Sequence, residues 1–441
     1  MDIPQQVFDV SKNNKQQFGE VTTDFQTIYQ MIHIFPKDYF KNPALRILDP
    51  TCGRGYFGMV LFQILSKELT KIIPDKKKRK EHILQNMIYM VELNSDHIPT
   101  LKRFFGDSAH IYNEDFLSFT SQKFDMIIGN PPYNASGMKK VPTNTHSDKK
   151  KDGKTVWSKF IKHSISLLKD NGYLNMIIPS IWMKPDRERM YHYMLQFHIH
   201  KIRCFSNTET NRMFHGHAQT PTCFFLLQKA QSKQTISLFD PIQNGYISWK
   251  LEDNLPIPLL GISILNKLQK YVKKCGHIKV IKTNMPPKGT VLSDTKTEIT
   301  PYPNIKTCII KDNKPFLVIN YSNKRLAFND EPKLILAHKM YGFPYIDYAG
   351  TYGISNRDNY VLLNRKEIDF IMLKDFLSTF FCRYLFEATR YRMKYLEKYI
   401  FELLPDVTRL HDFPFDITDE TVMNYFELDE KERKFLKLKR N

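Results

Sequence analysis

Short apolar runs alternate with helix-like stretches through the first half of this 441-residue chain. Each run has the length and composition of a buried strand, and the stretches between them, such as 57–69 and 158–169, have helical patterns. Strands that are linked through helices form a mostly parallel sheet covered on both faces. The pattern therefore predicts an α/β fold with a doubly wound, Rossmann-like sheet over residues 18–240. The five apolar runs are 46–48, 87–93, 124–129, 173–178 and 222–227.

The alternation ends near residue 231, and the later sequence has clustered prolines and less regular strand-like runs. Because the chain is too long for one ordinary domain, we expect a second, irregular α+β domain at 241–441. That domain includes a helical tract predicted from Glu367 to about Leu403. Residues 1–17 are polar and predict an N-terminal arm, and the Lys-rich segment 74–82 predicts a solvated connection.

The charge of the chain favours a polyanionic partner. Lys and Arg number 65 against 46 Asp and Glu, which gives a net charge of +19. Nucleic acid is the simplest such partner, and a Lys-rich composition caused by coding bias is the alternative. The six cysteines form no CxxC pair, and the N-terminus has no apolar segment. These features predict reduced thiols in a cytoplasmic protein that is neither secreted nor membrane-spanning.

The first motif is ILDPTCGRGYF at 47–57, in which a strand, a glycine turn and a helix follow one another. Gly53 and Gly55 let the backbone approach a ligand closely, and Asp49 supplies a negative charge beside the turn. The motif lacks the full dinucleotide fingerprint and the Lys-Ser/Thr of a phosphate loop, which argues against ATP. An ordinary glycine turn is the alternative interpretation.

Acidic residues follow the next predicted strands. Glu92 ends the second strand, where a carboxylate can hold two ribose hydroxyls at the ligand crevice. Further along, Asp115 has the position to accept from an adenine amino group, and Phe116 to lie against the adenine ring. The alternatives are a surface glutamate for Glu92 and a helix N-cap for Asp115.

The most specific motif is Asn-Pro-Pro-Tyr at 130–133, directly after a buried strand. The prolines remove two N–H donors and fix an extended turn, so the Pro131 carbonyl can face the cleft beside the amide oxygen of Asn130. Two acceptors on one –NH₂ group draw its nitrogen toward tetrahedral geometry and stabilise the charge that develops as it attacks. Tyr133 offers a ring for stacking, worth about 1–3 kcal/mol for an unstacked base. A purely structural turn is the alternative.

In this order, these motifs resemble those of the gamma-class, NPPY-type DNA adenine-N6 methyltransferases with Taq-type two-domain architecture. The matching segments are FGEVTT (18–23), DPTCGRGYF (49–57), VEL (91–93), EDF (114–116) and NPPY (130–133). The resemblance implies S-adenosylmethionine as methyl donor and adenine N6 in double-stranded DNA as acceptor, reached by base flipping. It implies Asn130, Pro131 and Tyr133 as catalytic residues. The methyl-donor residues that follow are Thr23, Asp49, Thr51, Gly53, Gly55, Glu92, Asp115 and Phe116.

The resemblance also sets expectations for the rest of the chain. Relatives place an aromatic ring opposite the NPPY tyrosine, and Trp182, Tyr191 and Tyr193 are candidates, although each also fits core packing. Segments 333–355 and 388–406 resemble target-recognition segments. A core stripe is predicted from three tyrosines at helical spacing, Tyr391, Tyr395 and Tyr399. Phosphate contacts are predicted for the lysines between 139 and 154 and for the basic residues Arg390, Arg392, Lys394 and Lys398.

Partners and alternatives complete the sequence-based expectations. We expect a monomer that modifies DNA in a restriction-modification system, with a possible cognate endonuclease. No metal is expected, because His215 and His217 lack a third ligand at usable spacing. The alternatives are an RNA or protein-glutamine methyltransferase using the same NPPY pocket, and an inactive DNA-binding relative.

Overall fold

The computed structural model describes residues 21–135, 154–186, 188–216, 218, 220–311, 314–338, 344–392 and 396–440. The chain divides into two compact units, Met1–Leu238 and Phe239–Asn441. This division lies close to the boundary after residue 240 that the sequence predicts, whereas the expected arm at 1–17 lies outside the described residues. Of the helices in the described ranges, none combines the length and the apolar character needed to cross a membrane.

A mixed sheet organises the first unit and confirms the predicted doubly wound class. Its strands are β1 Ile47–Asp49, β2 Ile88–Val91, β3 His110–Tyr112, β4 Phe124–Gly129, β5 Leu168–Pro179, β6 Phe197–Phe205, β7 Thr222–Gln231 and β8 Thr235–Asp240. In the described residues they follow the order β3-β2-β1-β4-β5-β7-β6, with β8 next to β6. Strands β1 to β5 pair in parallel, whereas β7 is antiparallel to both β5 and β6.

The central strands are buried along their length, as the apolar runs predict. Every residue of β1 and β2 is buried, and so are five of the six residues of β4. Strands that are buried in this way have both faces covered, which is typical of parallel sheets. The helices of this unit are α1 Phe25–His33, α2 Tyr56–Glu68, α3 Lys76–His82, α4 Ile98–Phe105, α5 Trp157–Leu167, α6 Met190–Met194 and α7 Asn207–Met213.

The Lys-rich segment 74–82 is solvated, but it is a helix rather than a simple connection. Helix α3 buries none of its residues. The Asp75 side chain caps it by accepting from the Lys78 amide at 2.7 Å. The cap satisfies one of the free donors of the first turn, and Lys and Arg are good helix formers, which explains the difference.

Eight strands of the second unit form two four-stranded sheets, and β9 Gly245–Lys250 belongs to neither. The eight strands are β10 Ile281–Lys282, β11 Leu292–Ser293, β12 Tyr302–Lys311, β13 Lys314–Ser322, β14 Lys333–Ala337, β15 Tyr345–Asp347, β16 Gly353–Ile354 and β17 Asn359–Leu362. The sheet orders are β10-β17-β14-β15 and β11-β13-β12-β16. A shared core joins their faces: Ile305 and Cys308 from one sheet pack with Ile335 and Val361 from the other.

The helical tract predicted from Glu367 to Leu403 is interrupted. Thr379 is extended, with ψ of 151°, and its side chain caps the next helix by accepting from the Cys382 amide at 3.2 Å. Tyr391 is outside any helix, so the predicted helical tyrosine stripe is wrong, although Tyr391 itself is fully buried in the core. The helices here are α8 Ile262–Cys275, α9 Glu367–Ser378, α10 Phe380–Phe386, α11 Tyr399–Leu403, α12 Asp419–Tyr425 and α13 Glu430–Arg440.

Candidate active site

The site lies where the order of the parallel strands reverses. The chain runs from β1 outward to β2 and β3, and then returns to place β4 on the other side of β1. The loops after the carboxyl ends of β1 and β4 therefore diverge and leave a crevice, the usual ligand position in open α/β sheets. Asp49 ends β1, Glu92 directly follows β2, and Asn130 directly follows β4.

The two glycines of the first motif have different surroundings. Gly53 has φ of +53° and no atom within 4 Å of the position that a Cβ would take, so this part of the turn is open. Gly55 has φ of +83°, and a Cβ there would lie 2.7 Å from Leu101 and 2.8 Å from Phe105. Gly53 therefore leaves room for a ligand, whereas Gly55 lets α2 approach α4 closely.

Glu92 is held in a fixed orientation by backbone amides. Its Oε2 accepts from the Gly53 amide at 2.7 Å, and its Oε1 accepts from the Asn94 amide at 2.7 Å. A carboxylate oxygen can accept more than one hydrogen bond, so the group keeps capacity for hydroxyl donors. The Asn113 side chain also donates to the Glu92 main-chain carbonyl at 2.8 Å, which ties the ends of β2 and β3 together.

Asp49 lies behind the turn and is almost completely buried. Its Oδ1 accepts from the Thr51 amide at 3.2 Å, whereas its buried Oδ2 has no hydrogen-bond partner in the described structure. Burial, and to a smaller extent the nearby Glu92 carboxylate, raise the pKa of Asp49 to about 8. Asp49 therefore stabilises the turn through its hydrogen bond from Thr51, and its buried carboxyl group favours the protonated form.

An aromatic wall stands beside the exposed Asp115. The Phe116 ring is buried and lies nearly parallel to the ring of Phe160, with centroids 5.7 Å apart. Asp115 accepts from the Leu117 amide at 2.9 Å, so its side chain also closes a local turn, but no helix follows and Asp115 is not the helix N-cap of the alternative interpretation. Phe160, on α5, lines the same cleft. Phe160 could not be recognised as a site residue from the sequence, because it belongs to an ordinary apolar helix face.

Two threonines hold Asn130 from opposite ends. Its Nδ2 donates to the Thr23 hydroxyl at 3.0 Å, and its main-chain carbonyl accepts from the Thr51 hydroxyl at 3.2 Å. The Asn130 Oδ1 is buried and has no hydrogen-bond partner in the described structure. A buried acceptor without a partner costs about 1–3 kcal/mol. The site thus contains one oriented acceptor whose hydrogen-bonding capacity is unused in the described structure.

Tyr133 lies beside this acceptor in the same turn, after the buried Pro131. Its main-chain carbonyl accepts from the Val156 amide at 3.1 Å. Its hydroxyl is buried without a hydrogen-bond partner in the described residues, and burial raises the pKa of Tyr133 well above its usual value. The main chain of Tyr133 is therefore held by a hydrogen bond, and burial keeps its phenol neutral.

Phe214 is the aromatic ring that the structure brings to Tyr133. The two ring centroids are 6.5 Å apart and the rings are nearly perpendicular. Trp182 and Tyr191 are fully buried, and Trp182 donates to the Cys223 sulfur at 3.3 Å, so both pack in the core. Sequence reasoning missed Phe214, because this residue follows a short polar helix rather than an apolar run.

Seven of the predicted site residues line one cleft: Thr23, Thr51, Gly53, Glu92, Asp115, Phe116 and Asn130. Asp49, Gly55, Pro131 and Tyr133 adjoin these residues in sequence but are not part of that lining. Asp24, which follows Thr23, caps α1 by accepting from the Thr27 amide at 2.6 Å. With Asp24 as N-cap, α1 begins at Phe25, two residues after Thr23, which lines the cleft.

Several predicted residues fall outside the described ranges. These are Lys139, Lys140, Lys149, Lys150, Lys151, His217, Lys394 and Tyr395. The two residues that flank the segment 136–153 are hydrogen-bonded to each other: the Ala135 amide donates to the Lys154 carbonyl at 2.8 Å. Within the described residues, no three His, Cys, Asp or Glu side chains come together in a way that could hold a metal ion.

Comparison with known proteins shows similarity to modification methylases. Residues 55–211 match the family model described as Eco57I restriction-modification methylase. An uncharacterized adenine-specific methylase of Mycoplasma pneumoniae is 25% identical, over 37% of this chain and 56% of its own length. The modification methylase CviBIII of Paramecium bursaria Chlorella virus NC1A is 28% identical, over 38% of this chain and 44% of its own length.

The chain thus spans about half the length of the curated relatives it matches. Among solved structures, a modification subunit of a putative type I restriction enzyme from Vibrio vulnificus matches with a TM-score of 0.38 and 17% identity. That match covers 50% of this chain and 46% of the other. The family-model match begins at Gly55, after most of the glycine turn, and includes Glu92 and the NPPY motif; this part of the chain is similar to the Eco57I-type restriction-modification adenine methylases.

Proposed function

We propose that this protein is a site-specific DNA methyltransferase that transfers a methyl group from S-adenosylmethionine to adenine N6 in double-stranded DNA. The observation that carries the proposal is the buried Asn130 Oδ1, which has no partner in the described structure and lies at the strand-order reversal. An exocyclic amine supplies the N–H donor that this oxygen lacks. The similarity of residues 55–211 to modification methylases supports the same assignment.

The cleft suits the methyl donor in shape and in donor set. Gly53 leaves open space at the turn, and Glu92 presents an oriented carboxylate to hydroxyl groups such as those of a ribose. Phe116 and Phe160 form an apolar wall for an adenine ring, beside the carboxylate of Asp115. Thr23, Asp49, Thr51 and Gly55 complete the proposed donor-binding residues, Asp49 and Gly55 by shaping the turn.

Catalysis by this chain is a matter of orientation and electrostatics. Bound S-adenosylmethionine supplies an activated sulfonium methyl group for direct displacement. Asn130 and the carbonyl of Pro131 accept from the target amine, which localises its lone pair and stabilises the positive charge that develops on the nitrogen. Tyr133 offers its ring to the base, and Phe214 packs edge-on against Tyr133. No side chain forms a covalent intermediate, and the proton leaves to water.

We propose that the second unit and the lysines that follow the NPPY motif bind DNA. The adenine amine is inside a duplex, so the base must leave the stack before it reaches Asn130. We assign phosphate contacts to the lysines that follow the NPPY motif and sequence reading to the unit Phe239–Asn441. We further propose that the protein acts as a monomer in a restriction-modification system that includes a cognate endonuclease, as the names of its relatives suggest.

Nucleoside analysis tests this function. The protein is incubated with methyl-labelled S-adenosylmethionine and, in separate reactions, with double-stranded DNA, RNA or a glutamine-containing protein. The DNA is then digested to nucleosides and separated. We expect label in N6-methyldeoxyadenosine from the DNA reaction. Label only in RNA or only in protein, or label at cytosine, would overturn the proposal.

A further inference from the structure

Thr23 contacts the proposed catalytic amide directly. The Asn130 Nδ2 donates to the Thr23 hydroxyl at 3.0 Å, and Thr23 is 4% exposed. The other end of the amide, Oδ1, is buried and has no hydrogen-bond partner in the described structure. One end of the amide is therefore held by the protein, and the other has unused hydrogen-bonding capacity.

The orientation of this amide decides whether the site can work. An asparagine side chain has an acceptor at one end and two donors at the other. If the nitrogen faced the cleft, the donors of Asn130 would meet the donors of the target amine. The Thr23 hydroxyl can accept from Nδ2 when Oδ1 faces the cleft, which a hydrocarbon side chain cannot do.

The main chain of Asn130 is fixed independently. Its carbonyl accepts from the Thr51 hydroxyl at 3.2 Å, so the backbone position does not depend on Thr23. Loss of the Thr23 hydroxyl therefore releases the amide while the turn stays in place. Thr23 and Thr51 both line the cleft.

We propose that Thr23 is a positioning residue that holds the Asn130 amide with its oxygen toward the target amine. This inference rests on the proposed function, and it goes beyond the donor-binding role that the family resemblance implies for Thr23. Thr23 acts through Asn130 and sets the rate of methyl transfer at saturating methyl donor, in addition to its proposed place among the donor-binding residues.

The test compares Thr23→Val, which removes the hydroxyl at similar volume, with Thr23→Ser, which keeps it. Single-turnover methylation is measured with saturating S-adenosylmethionine and DNA, and donor affinity is measured by calorimetry. We expect Thr23→Val to slow methyl transfer about 10- to 100-fold, because a small misplacement of a reacting group is costly. Because the methyl donor is saturating, a change in donor affinity does not enter this rate, and Thr23→Ser is expected to restore most of it.

A base-flipping readout separates positioning from DNA binding. With 2-aminopurine at the target position, the fluorescence rise on binding should be the same for the wild type and Thr23→Val. Thr27→Val is the matched control: Thr27 is 5% exposed, and its hydroxyl donates to Asp24 at 3.0 Å, away from Asn130. It should lower the melting temperature without slowing methyl transfer.

Other outcomes identify which proposal fails. A Thr23→Val variant with unchanged single-turnover rate, or with weakened donor binding as its only defect, overturns the positioning role. If Thr23→Val does not fold, Thr23→Ala carries the same expectation and the same refutation. Absence of adenine methylation by the wild type overturns the proposed function itself, before any variant is compared.

Discussion

Asp49 is a carboxylic acid that the fold keeps away from water, and this sets a pH dependence. Its pKa rises from 3.8 to about 8, chiefly because burial disfavours the charged form. Between these values the folded protein holds a proton that the unfolded chain has released. The contribution of Asp49 to the free energy of unfolding is therefore fully present below about pH 4 and is lost as the pH rises toward 8.

The corresponding prediction concerns Asp49→Asn. The free energy of unfolding of the ligand-free wild type should fall by on the order of a few kcal/mol between about pH 5 and pH 8. Asn at this position stays neutral, so the variant should lose most of that slope. Urea denaturation at several pH values measures both slopes. Equal slopes for the two proteins would show that Asp49 is not the group responsible.

The contact between α2 and α4 depends on Gly55. Because φ is +83° and a Cβ would lie within 3 Å of both Leu101 and Phe105, Gly55→Ala adds a steric clash to backbone strain. We expect a destabilisation of about 2–4 kcal/mol, measured by thermal or urea unfolding. Gly289→Ala is the control, since Gly289 also has positive φ, at +80°, but has open space around the Cβ position.

The control should cost only about 1–2 kcal/mol, the effect of backbone strain alone. A Gly55→Ala variant no less stable than Gly289→Ala would contradict the assignment of Gly55 to helix packing.

Elements with a strong apolar pattern could be predicted from the sequence, and those without one could not. Strands β1, β2, β4, β5 and β7 are confirmed, because buried parallel strands have near-continuous apolar runs. Strand β6 was missed, since His198, His200, Lys201 and Arg203 interrupt its apolar residues. The sequence predicts one continuous helical tract after Glu367, whereas the structure breaks it at Thr379. The break depends on a side-chain cap inside an otherwise helical composition, which the sequence pattern does not reveal.

The candidate site follows the same logic. Glu92 and Asn130 could be found because each follows a recognisable strand, and the strand order then brings them to one crevice. Phe160 and Phe214 could not, because their relation to the cleft and to Tyr133 depends on how separate helices pack. The roles of Thr23 and Thr51 in holding Asn130 likewise required the three-dimensional contacts.

At the scale of the whole molecule, the net charge of +19 predicts strong electrostatic binding of DNA. Each phosphate that is neutralised releases counterions, so affinity should fall linearly with salt on logarithmic axes. We expect a loss of about 100-fold or more in DNA affinity between about 50 and 200 mM salt, measured by fluorescence anisotropy. Affinity for S-adenosylmethionine, measured across the same range, is the control and should change little. DNA binding that does not respond to salt would contradict a phosphate-based interface.

The central claim is that the unpartnered amide oxygen of Asn130 receives the amine of a flipped adenine. Its most direct test is the single-turnover rate of methyl transfer by Asn130→Ala to double-stranded DNA that carries the unmethylated target site. We predict that methyl transfer falls about 100- to 1,000-fold, the cost of removing one oriented hydrogen-bond partner of developing charge. Binding of S-adenosylmethionine and of DNA should persist, since neither depends on that oxygen. A variant that folds, binds both substrates and methylates adenine at a rate close to that of the wild type would contradict the account.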